Sequence, residues 1–528
     1  MKKIIVPAMA LALTGSVLAD DMLWFGFSRE GGTYDGHTAL EWSGESLSAH
    51  VMGAWGPELG KTPGFNDEAV FGWTDRFPGG DPPRDLHITN RTIYVDDWTA
   101  PAGLGGRFVP GSDFVVRNFF VESDTFDFWL GSKTIRTTTP YGNGFQVSGH
   151  ARGNESVGGS IGPHGATAVA TMHGGYIDTA FLATGSGPGS GHGKGTLNLV
   201  GTQATVRDGG RTLVGYRSSG VINLSEGAAI HSQSELLVGF ANAIYGEPFI
   251  DQTAEMTLQG QGTMMEFQYA GIGTSAPGSL TVKSSAKVVL TDLFLGNAVA
   301  GYESHAHGNV LVDNAEMRVS SWAVIGGLGY DRIGDSVMEV TNGGLVQVGA
   351  KLIVHEGSKV IVHNGGVIKV GSDVATPTSG VAVGGSGWLM GNGSVDGDVV
   401  NAGGTVAPGT SPGVLGITGN LMMTAGELQI EIGGKNRGTQ YDGLDVGGVA
   451  TLGGTLRIIL LNNFVPTIGD EFNILKASAI SGRFNQVIAP NGFALQYTSN
   501  GIGLIAVPEP ATFLLLGVGI AFIAKRRR

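Results

Sequence analysis

The 528-residue sequence contains no cysteine. This absence excludes disulfide bonds, thiolate zinc sites, thiol nucleophiles and cysteine-ligated clusters together. Charged residues are also scarce, at 15% against a usual level of about 25%. The balance of 32 basic and 45 acidic residues gives a net charge of −13. That balance argues against nucleic acid as a partner, because proteins that bind it need clustered Lys and Arg.

Glycine, by contrast, is abundant: the chain has 90 glycines, about 17% of its residues against a usual share of about 7%. Hydrophobic residues make up 41%, which is enough apolar material for a folded core and argues against a disordered chain. No Gly-X-Y period is present, so a collagen helix is excluded. The length corresponds to three or four domains of about 150 residues each.

The N-terminus has the layout of a secretory signal peptide, which we place at residues 1–19. A basic start is followed by an apolar run at 4–17. Small residues, Val17 and Ala19, then occupy the −3 and −1 positions of a cleavage site before Asp20. Export by the Sec route agrees with the absence of cysteine, since a protein without thiols cannot mispair outside the cytoplasm. A buried N-terminal helix is the alternative interpretation.

The C-terminus combines three elements: a proline-rich tripeptide, an apolar stretch at 511–524 and a basic cluster. As a helix the stretch spans about 21 Å, against a bilayer core of about 30 Å, so it is a marginal membrane span. The positive-inside rule keeps the basic cluster cytoplasmic. The candidate recognition residues are Val507, Pro508, Glu509, Pro510, Lys525, Arg526, Arg527 and Arg528.

These three elements resemble the PEP-CTERM sorting signal of Gram-negative bacteria that make exopolysaccharide. The resemblance implies recognition by exosortase, an integral-membrane transpeptidase-like enzyme, with cleavage near Pro508, Glu509 and Pro510. It also implies transient anchoring in the inner membrane and delivery to the outer surface or the extracellular matrix. A plain C-terminal anchor that stays uncut is the alternative.

Residues 185–371 repeat one theme: an alternating apolar strand, a small turn, a second short strand and an apolar close that ends in glycine. The openings and their closes lie at 195–200 and 212–215, 220–224 and 236–239, 278–282 and 293–296, and 308–312 and 323–326. Alternation with a period of two is typical of half-buried strands, and one such unit buries its apolar face only by stacking on the next. The pattern predicts an all-β fold, a right-handed parallel β-solenoid; a globular β-sandwich is the alternative.

The repeat resembles the one shared by autotransporter passengers and PEP-CTERM proteins, with its Gly-Ser-Leu-Thr-Val opening at 278–282. Two segments depart from it, the strand pair at 253–269 and the close at 270–273. The sequence that follows resembles the distal part of an autotransporter passenger. We therefore expect a signal peptide at 1–19, an N-terminal β cap at 20–137, solenoid repeats at 138–383, a passenger-like β region at 384–507 and, at 508–528, a sorting signal with one short membrane-targeting helix.

The expected N-terminal cap holds most of the tryptophans: Trp24, Trp42, Trp55, Trp73, Trp98 and Trp129. We interpret this region as a shield for the open end of the solenoid, which terminal repeats have to provide. A carbohydrate-binding platform is the alternative, since an exposed tryptophan ring offers a large apolar face with a polar tip on which a sugar can stack.

Motifs that would indicate chemistry are weak. Residues 409–413 match the nucleophile-elbow pattern around Ser411, but prolines flank that serine and no helical pattern follows, so we interpret the segment as a turn. The glycine-rich segment 185–195 lacks the Ser or Thr of a phosphate-binding loop. His305 and His307 share a strand face without a visible third ligand. Weak Ca²⁺ binding is the most we expect from the aspartates near turns: Asp396, Asp398, Asp442 and Asp445.

The sequence thus predicts a non-catalytic exported protein, structural or adhesive, at the cell surface or in the biofilm matrix, with exosortase as its processing partner and exopolysaccharide as a candidate ligand. We expect no catalytic residue, metal or cofactor. Solenoid lyases and hydrolases place acids on adjacent coils, whereas these repeats carry Thr, Ser, Asn and Gln there. A solenoid enzyme that acts on polysaccharide and a carbohydrate-binding module are the competing hypotheses. A cleft with two or more carboxylates within about 10 Å of each other would favour the enzyme.

Overall fold

The protein is built from β-strands. A computed structural model describes residues 124–138, 144–147, 167–185, 194–240, 253–297, 306–327, 335–371 and 380–508, apart from 217, 356 and 411, together with five short strands before them. These residues form 39 strands and no helix. The chain divides into two compact units, Met1–Gln268 (unit 1) and Tyr269–Arg528 (unit 2), and the division falls inside the fifteenth strand.

The strands up to this division vary from three to eighteen residues. They are β1 (Asp21–Trp24), β2 (Glu68–Phe71), β3 (Arg91–Tyr94), β4 (Phe114–Val116), β5 (Asn118–Val121), β6 (Asp124–Thr137), β7 (Phe145–Val147), β8 (Thr167–Thr184), β9 (Lys194–Val200), β10 (Gln203–Val214), β11 (Ser219–Ser225), β12 (Ala229–Ser232), β13 (Glu235–Val238), β14 (Ala254–Gln259) and β15 (Met264–Ile272).

The strands of unit 2 are shorter and more regular. The first twelve are β16 (Gly278–Lys283), β17 (Lys287–Leu295), β18 (Gly308–Asp313), β19 (Glu316–Val319), β20 (Trp322–Ile325), β21 (Val337–Thr341), β22 (Leu345–Val348), β23 (Lys351–Val354), β24 (Lys359–Val362), β25 (Val367–Val370), β26 (Gly380–Val383) and β27 (Trp388–Gly391). The remaining twelve are β28 (Ser394–Asp396), β29 (Val399–Pro408), β30 (Val414–Ile417), β31 (Leu421–Ile432), β32 (Gly443–Val446), β33 (Val449–Leu452), β34 (Thr455–Leu460), β35 (Glu471–Lys476), β36 (Ala479–Gly482), β37 (Gln486–Ile488), β38 (Phe493–Tyr497) and β39 (Gly501–Ala506).

Strand pairing within the described part of unit 1 is parallel. β6 pairs with β8, β8 pairs with β9 and β10, and β9 pairs with β11. The repeat openings at 195–200 and 220–224 lie side by side in this pairing, with Gly195 of β9 opposite Gly220 of β11. The same parallel pairing holds among the early strands, where β2 pairs with β5 and β3 with β6.

Unit 2 contains three parallel ladders, in which a strand usually pairs with the third strand after it. The first ladder connects β16, β18, β21, β24, β27, β29, β31, β34 and β37. The second connects β17, β19, β22, β25, β28, β30, β32 and β35. The third connects β17, β20, β23, β26, β29, β31, β33 and β36.

Matched side chains of the first ladder form one continuous apolar column. The residues in register are Leu280, Val310, Met338, Val360, Leu389, Val406, Leu428 and Leu456, all of them buried. Alternate side chains of a strand point to opposite faces. The residues directly before and after each of these along its own strand therefore face outwards. Burial of each such Leu or Val side chain contributes about 1.5–3 kcal/mol, and the register repeats that contribution from strand to strand.

The recurring Asn-Gly-Gly triplet makes a tight turn between β21 and β22. Asn342 and Gly343 have φ values of 52° and 82°, a region that glycine adopts freely and asparagine tolerates. Gly344 is required for a different reason, since a Cβ atom there would lie 2.3 Å from the carbonyl oxygen of Val312 in β18. The backbone geometry of the turn therefore favours glycine at 343, whereas the close approach of the neighbouring strand requires glycine at 344.

Two segments that the sequence analysis set apart follow the same rules as their neighbours. β14, inside 253–269, pairs in parallel with β11, with Met256 opposite Ile222. At the close 270–273, Ile272 is buried and its carbonyl accepts a hydrogen bond from Gly296 N at 2.9 Å. These segments therefore differ from the other copies in sequence but keep the alternation and the buried closing residue.

The parallel pairing also continues across position 383/384, where the sequence changes character. Val381 of β26 is opposite Val399 of β29 in the third ladder. The change from repeat-like to passenger-like sequence is therefore not accompanied by a change in the direction of pairing.

We predict that Gly344→Ala destabilises unit 2 more than Gly343→Ala does. The first change forces a Cβ atom against backbone that cannot move without breaking a ladder hydrogen bond. The second has space around the new Cβ but places alanine at positive φ, at about 1–2 kcal/mol. Urea unfolding followed by circular dichroism measures the difference. Gly343→Asn is the matched control and should be milder than Gly343→Ala; an equal loss in all three variants would contradict the steric argument.

Candidate functional site at the end of unit 2

The last described strands reverse the direction of pairing. β39 lies antiparallel between β35 and β38. A short turn joins β38 to β39, with Thr498 N donating to the carbonyl oxygen of Gly501 at 2.9 Å. The parallel ladder that reaches β35 is therefore continued by a hairpin that carries the chain to its C-terminal segment.

The hydrogen bonds of this hairpin extend to the last residues before the proline-rich tripeptide. Ala506 N donates to the carbonyl oxygen of Asp470 at 2.9 Å, and Gly469 N donates to that of Ala506 at 2.8 Å. Val507 N donates to the carbonyl oxygen of Gly492 at 2.7 Å. Pro508 follows directly and is half-buried. Val507 is thus the last described residue with a backbone hydrogen bond to the hairpin region, and we call it the exit point.

An aromatic cluster is centred on β35, the strand that pairs with β39. Phe472 of β35 is fully buried, and the rings of Tyr441, Phe464 and Phe493 surround it at centroid distances of 5.3, 6.2 and 6.0 Å. All three contacts have edge-to-face geometry, which aromatic pairs favour. The strand next to β39 is therefore held by packing as well as by hydrogen bonds.

A salt bridge fixes the turn that enters β35. Lys435 Nζ lies 2.7 Å from Asp470 Oδ1, while Asp470 Oδ2 accepts a hydrogen bond from Thr467 N at 2.8 Å. The hydrogen bond from Lys435 is the main reason that the pKa of Asp470 lies below its ordinary value. The carboxylate beside the exit point is therefore paired and ionised.

The segment 433–442 reaches back to the ladders through polar side chains. Arg437 makes a bidentate pair with Asp445, with nitrogen–oxygen distances of 2.7 and 3.2 Å, and its Nε donates to the carbonyl oxygen of Asn473 at 2.8 Å. Bidentate guanidinium–carboxylate pairs define orientation as well as distance. This segment is consequently fixed against both β32 and β35.

Asp442 is a buried residue whose carboxyl group connects two segments of the chain. It is 1% exposed, and its two oxygens accept hydrogen bonds from Gly413 N at 2.8 Å and Glu431 N at 2.7 Å. Burial raises its pKa from 3.8 to about 7, the two backbone hydrogen bonds oppose that shift, and the charge of Glu431 adds to it. The side chain joins the 409–413 turn to β31 and does not face solvent.

The structure describes only part of the predicted recognition set. Val507 and Pro508 lie at the exit point, whereas Glu509, Pro510 and the basic cluster Lys525, Arg526, Arg527 and Arg528 lie outside the described residues. The predicted signal-peptide residues Val17, Ala19 and Asp20 also lie outside them, as do Ser411 and His305.

The other aspartates considered as Ca²⁺ ligands have protein partners. Asp396 accepts a hydrogen bond from the Thr418 hydroxyl at 2.8 Å, and Asp398 accepts two from Asn420, at 2.7 and 3.1 Å. Among the described residues no group of three or more His, Asp or Glu side chains is arranged to hold a metal ion.

The outward face of unit 1 carries a side-chain ladder of amides and hydroxyls. Asn223 Nδ2 donates to Asn198 Oδ1 at 2.9 Å, and Asn198 Nδ2 donates to Thr171 Oγ1 at 3.2 Å. These residues occupy matched positions of β11, β9 and β8. Parallel register thus aligns polar groups outside in the same way that it aligns apolar groups inside.

An aromatic surface, formed by Trp129 of β6 and His173 of β8, lies beside this ladder in unit 1. Trp129 is 41% exposed, and its ring stacks on that of His173 with centroids 4.0 Å apart and planes 11° apart. Tyr176 of β8 is 51% exposed, but Gly174 and Gly175, both at positive φ, lie between it and His173. His173 was not identified from the sequence, although it is an outward position of the alternating pattern at the start of β8.

Comparison with protein families matches residues 506–528 to the PEP-CTERM protein-sorting motif. The match begins at the last residue of β39 and includes the whole predicted recognition set except for the signal-peptide residues. Comparison with curated proteins gives no significant match. Within the described residues, no helix is long and apolar enough to cross a bilayer. The motif implies a protein that exosortase recognises and that is exported toward the cell envelope and surface.

We predict that Asp442 makes unit 2 less stable as the pH rises. Because the folded-state pKa is raised, the stability from the protonated carboxyl group is fully present below about pH 4 and is lost as the pH approaches 7. We expect the Tm of the wild type minus the Tm of Asp442→Asn, measured by thermal unfolding from pH 4 to 7.5, to fall by several degrees across this interval. Asp398→Asn, at an exposed carboxylate, is the control. A constant difference between wild type and Asp442→Asn would refute the prediction.

Proposed function

We propose that this protein, which carries a PEP-CTERM sorting motif and is therefore an exosortase-sorted exported protein, serves outside the cell as a non-catalytic structural or adhesive element of the surface or the exopolysaccharide matrix. Export would use the Sec route in a Gram-negative bacterium, with the C-terminal segment as a transient inner-membrane anchor. The observation that carries the proposal is the match at 506–528, which begins at the last residue of β39.

The fold is part of this proposal: we interpret the ladders as turns of a right-handed parallel β-solenoid. Three ladders with about three strands per repeat support it. Right-handed connection between parallel strands of one sheet is the strong general rule. A stacked fold of this kind presents long, regular faces with repeated chemistry, which suits scaffolding and adhesion.

Two features support a non-catalytic role. The outward ladder of Asn198, Asn223 and Thr171 consists of neutral groups that already hydrogen-bond with one another. Asp442, whose pKa is raised to about 7, is buried and accepts two backbone hydrogen bonds, so a polymeric substrate cannot reach it. A solenoid lyase or hydrolase needs acids that touch the sugar chain.

Carbohydrate binding is a second candidate function, favoured by the aromatic surface of unit 1. Trp129 is held rigidly against His173, and a fixed, partly exposed ring contacts a flat apolar sugar face with little loss of side-chain entropy. Asp127 Oδ1 lies 3.8 Å from His173 Nε2, which places polar groups beside the ring. The net charge of −13 favours a neutral polysaccharide over an acidic one.

We predict that replacing Pro508, Glu509 and Pro510 by alanine blocks processing. Full-length protein should then accumulate in the inner-membrane fraction, because the enzyme no longer recognises the tripeptide, whereas wild-type protein should reach the surface with a shortened C-terminus. Cell fractionation and intact-mass measurement of the mature C-terminus give the result. Glu471→Gln, which changes an exposed acid of the neighbouring strand, is the control. Normal maturation of the triple-alanine variant would overturn the sorting assignment.

We predict that Trp129→Ala weakens binding of the purified protein to the host's neutral exopolysaccharide at least tenfold, about 1.4 kcal/mol. Affinity electrophoresis in gels containing the polysaccharide measures the retardation. Trp322→Ala, at an exposed tryptophan of unit 2, is the matched control and should behave as wild type. Equal retardation of wild type and Trp129→Ala would remove the second candidate. Release of sugar by the wild type in the same preparation would instead support the enzyme hypothesis.

A further inference from the structure

The loop that precedes β35 lies directly beside the exit point. We call residues 464–469 the exit loop. Its last residue, Gly469, donates its backbone N–H to the carbonyl oxygen of Ala506 at 2.8 Å, and the next residue, Asp470, accepts from Ala506 N at 2.9 Å. The exit loop and the start of the sorting motif are therefore hydrogen-bonded to each other.

Two aliphatic side chains of the exit loop project into solvent. Val465 is 81% exposed and Ile468 is 67% exposed, and no other large hydrophobic side chain among the described residues is as exposed as either. Single exposed aliphatic residues are common on protein surfaces. A pair with this degree of exposure, three positions apart in one turn, is a feature that a solvent-facing loop does not need.

The exit loop is a fixed turn and not a loosely attached segment. Phe464 N donates to the carbonyl oxygen of Leu461 at 2.9 Å, and the Phe464 ring packs against Phe472. At the other end, Asp470 N donates to the carbonyl oxygen of Thr467 at 2.9 Å, and the salt bridge to Lys435 neutralises the Asp470 side chain. The loop therefore presents Val465 and Ile468 on a rigid support beside a neutralised carboxylate.

The short chain between Pro508 and the apolar stretch limits how far the exit loop can lie from the membrane. Only Glu509 and Pro510 separate Pro508 from the apolar stretch 511–524. Three residue steps at full extension cover about 10 Å. The exit point, Val507, is one step further back. If the stretch enters the membrane, as the proposed function requires, Val507 therefore lies within about 14 Å of the first membrane-embedded residue. The exit loop, hydrogen-bonded to Ala506, is then within reach of the headgroup layer.

We propose that Val465 and Ile468 insert into the headgroup–acyl boundary of the membrane that holds the C-terminal segment, and so fix the exit point against the lipid surface while the precursor is anchored. The inference rests on the proposed function, because the C-terminal segment brings the loop to the bilayer. The stretch 511–524 is short for a span, so a second apolar contact strengthens an anchor that is marginal alone.

The absence of cysteine from the chain makes the test direct. Ile468→Cys and Val449→Cys, each in the full chain, provide single sites for an environment-sensitive fluorophore; Val449 is an exposed aliphatic residue of β33. The labelled proteins are reconstituted in vesicles of phosphatidylethanolamine and phosphatidylglycerol that carry a quencher in the acyl region. We expect blue-shifted emission and strong quenching at position 468, and neither at position 449.

A second measurement uses substitution without a label. Val465→Ser combined with Ile468→Ser should lower the vesicle partition coefficient of the full chain about tenfold, since two buried aliphatic contacts are lost. Val449→Ser combined with Val487→Ser removes two exposed aliphatic residues elsewhere in unit 2 and should leave partition unchanged. Circular dichroism checks that both double variants fold.

The outcomes separate this inference from the proposed function. If the full chain floats with the vesicles but position 468 emits as in water, the loop does not touch lipid and the inference is wrong, while membrane anchoring stands. If the full chain does not float, anchoring through the C-terminal segment fails, and the inference fails with it. Equal partition of the two double variants would likewise overturn the role of the exit loop.

Discussion

Backbone hydrogen bonds between parallel strands in constant register are the interaction on which the rest of this protein depends. They place each residue next to its counterpart in a neighbouring repeat, so apolar side chains such as Met338 and Val360 continue one buried column. The same register aligns Asn198 with Asn223 on the outside. One constraint therefore generates both the core and the surface chemistry. Glycine content follows from it, since closely stacked turns leave no room for Cβ atoms at positions such as Gly344.

The repeats and the sorting motif could be predicted from sequence because both are local patterns. Gly278 to Val282 alternates visibly, and it pairs with 308–312 as its similarity predicts. Segment 253–269 departs from the other copies in sequence and still pairs in parallel with β11, because alternation of buried residues such as Met256 and Leu258 is sufficient for that pairing. The antiparallel return of β39 was not predictable, because its partners β35 and β38 are set by the tertiary arrangement of the last strands.

The features around the exit point depend on groups that are distant in sequence, which is why sequence patterns did not reveal them. Asp442 looked like one aspartate near a turn among several, yet its carboxyl group is buried between Gly413 and Glu431. Lys435 and Asp470 are 35 residues apart and form the ion pair that fixes the turn before β35. The structural roles of these residues come from burial and ion pairing, and neither can be recognised until the arrangement of the packed strands is known.

The reversal at β39 has a consequence for how molecules of this protein meet. A sheet that ended in a parallel strand would offer an open template, on which the first strand of another molecule could add in the same direction and polymerise end to end. β39 covers the edge of β35, but the outermost described strand is β38, which is antiparallel to β39 and therefore runs in the same direction as β35. The hairpin thus moves the open edge of this ladder from β35 to a five-residue strand, and short edge strands are one of the means by which proteins limit edge-to-edge association.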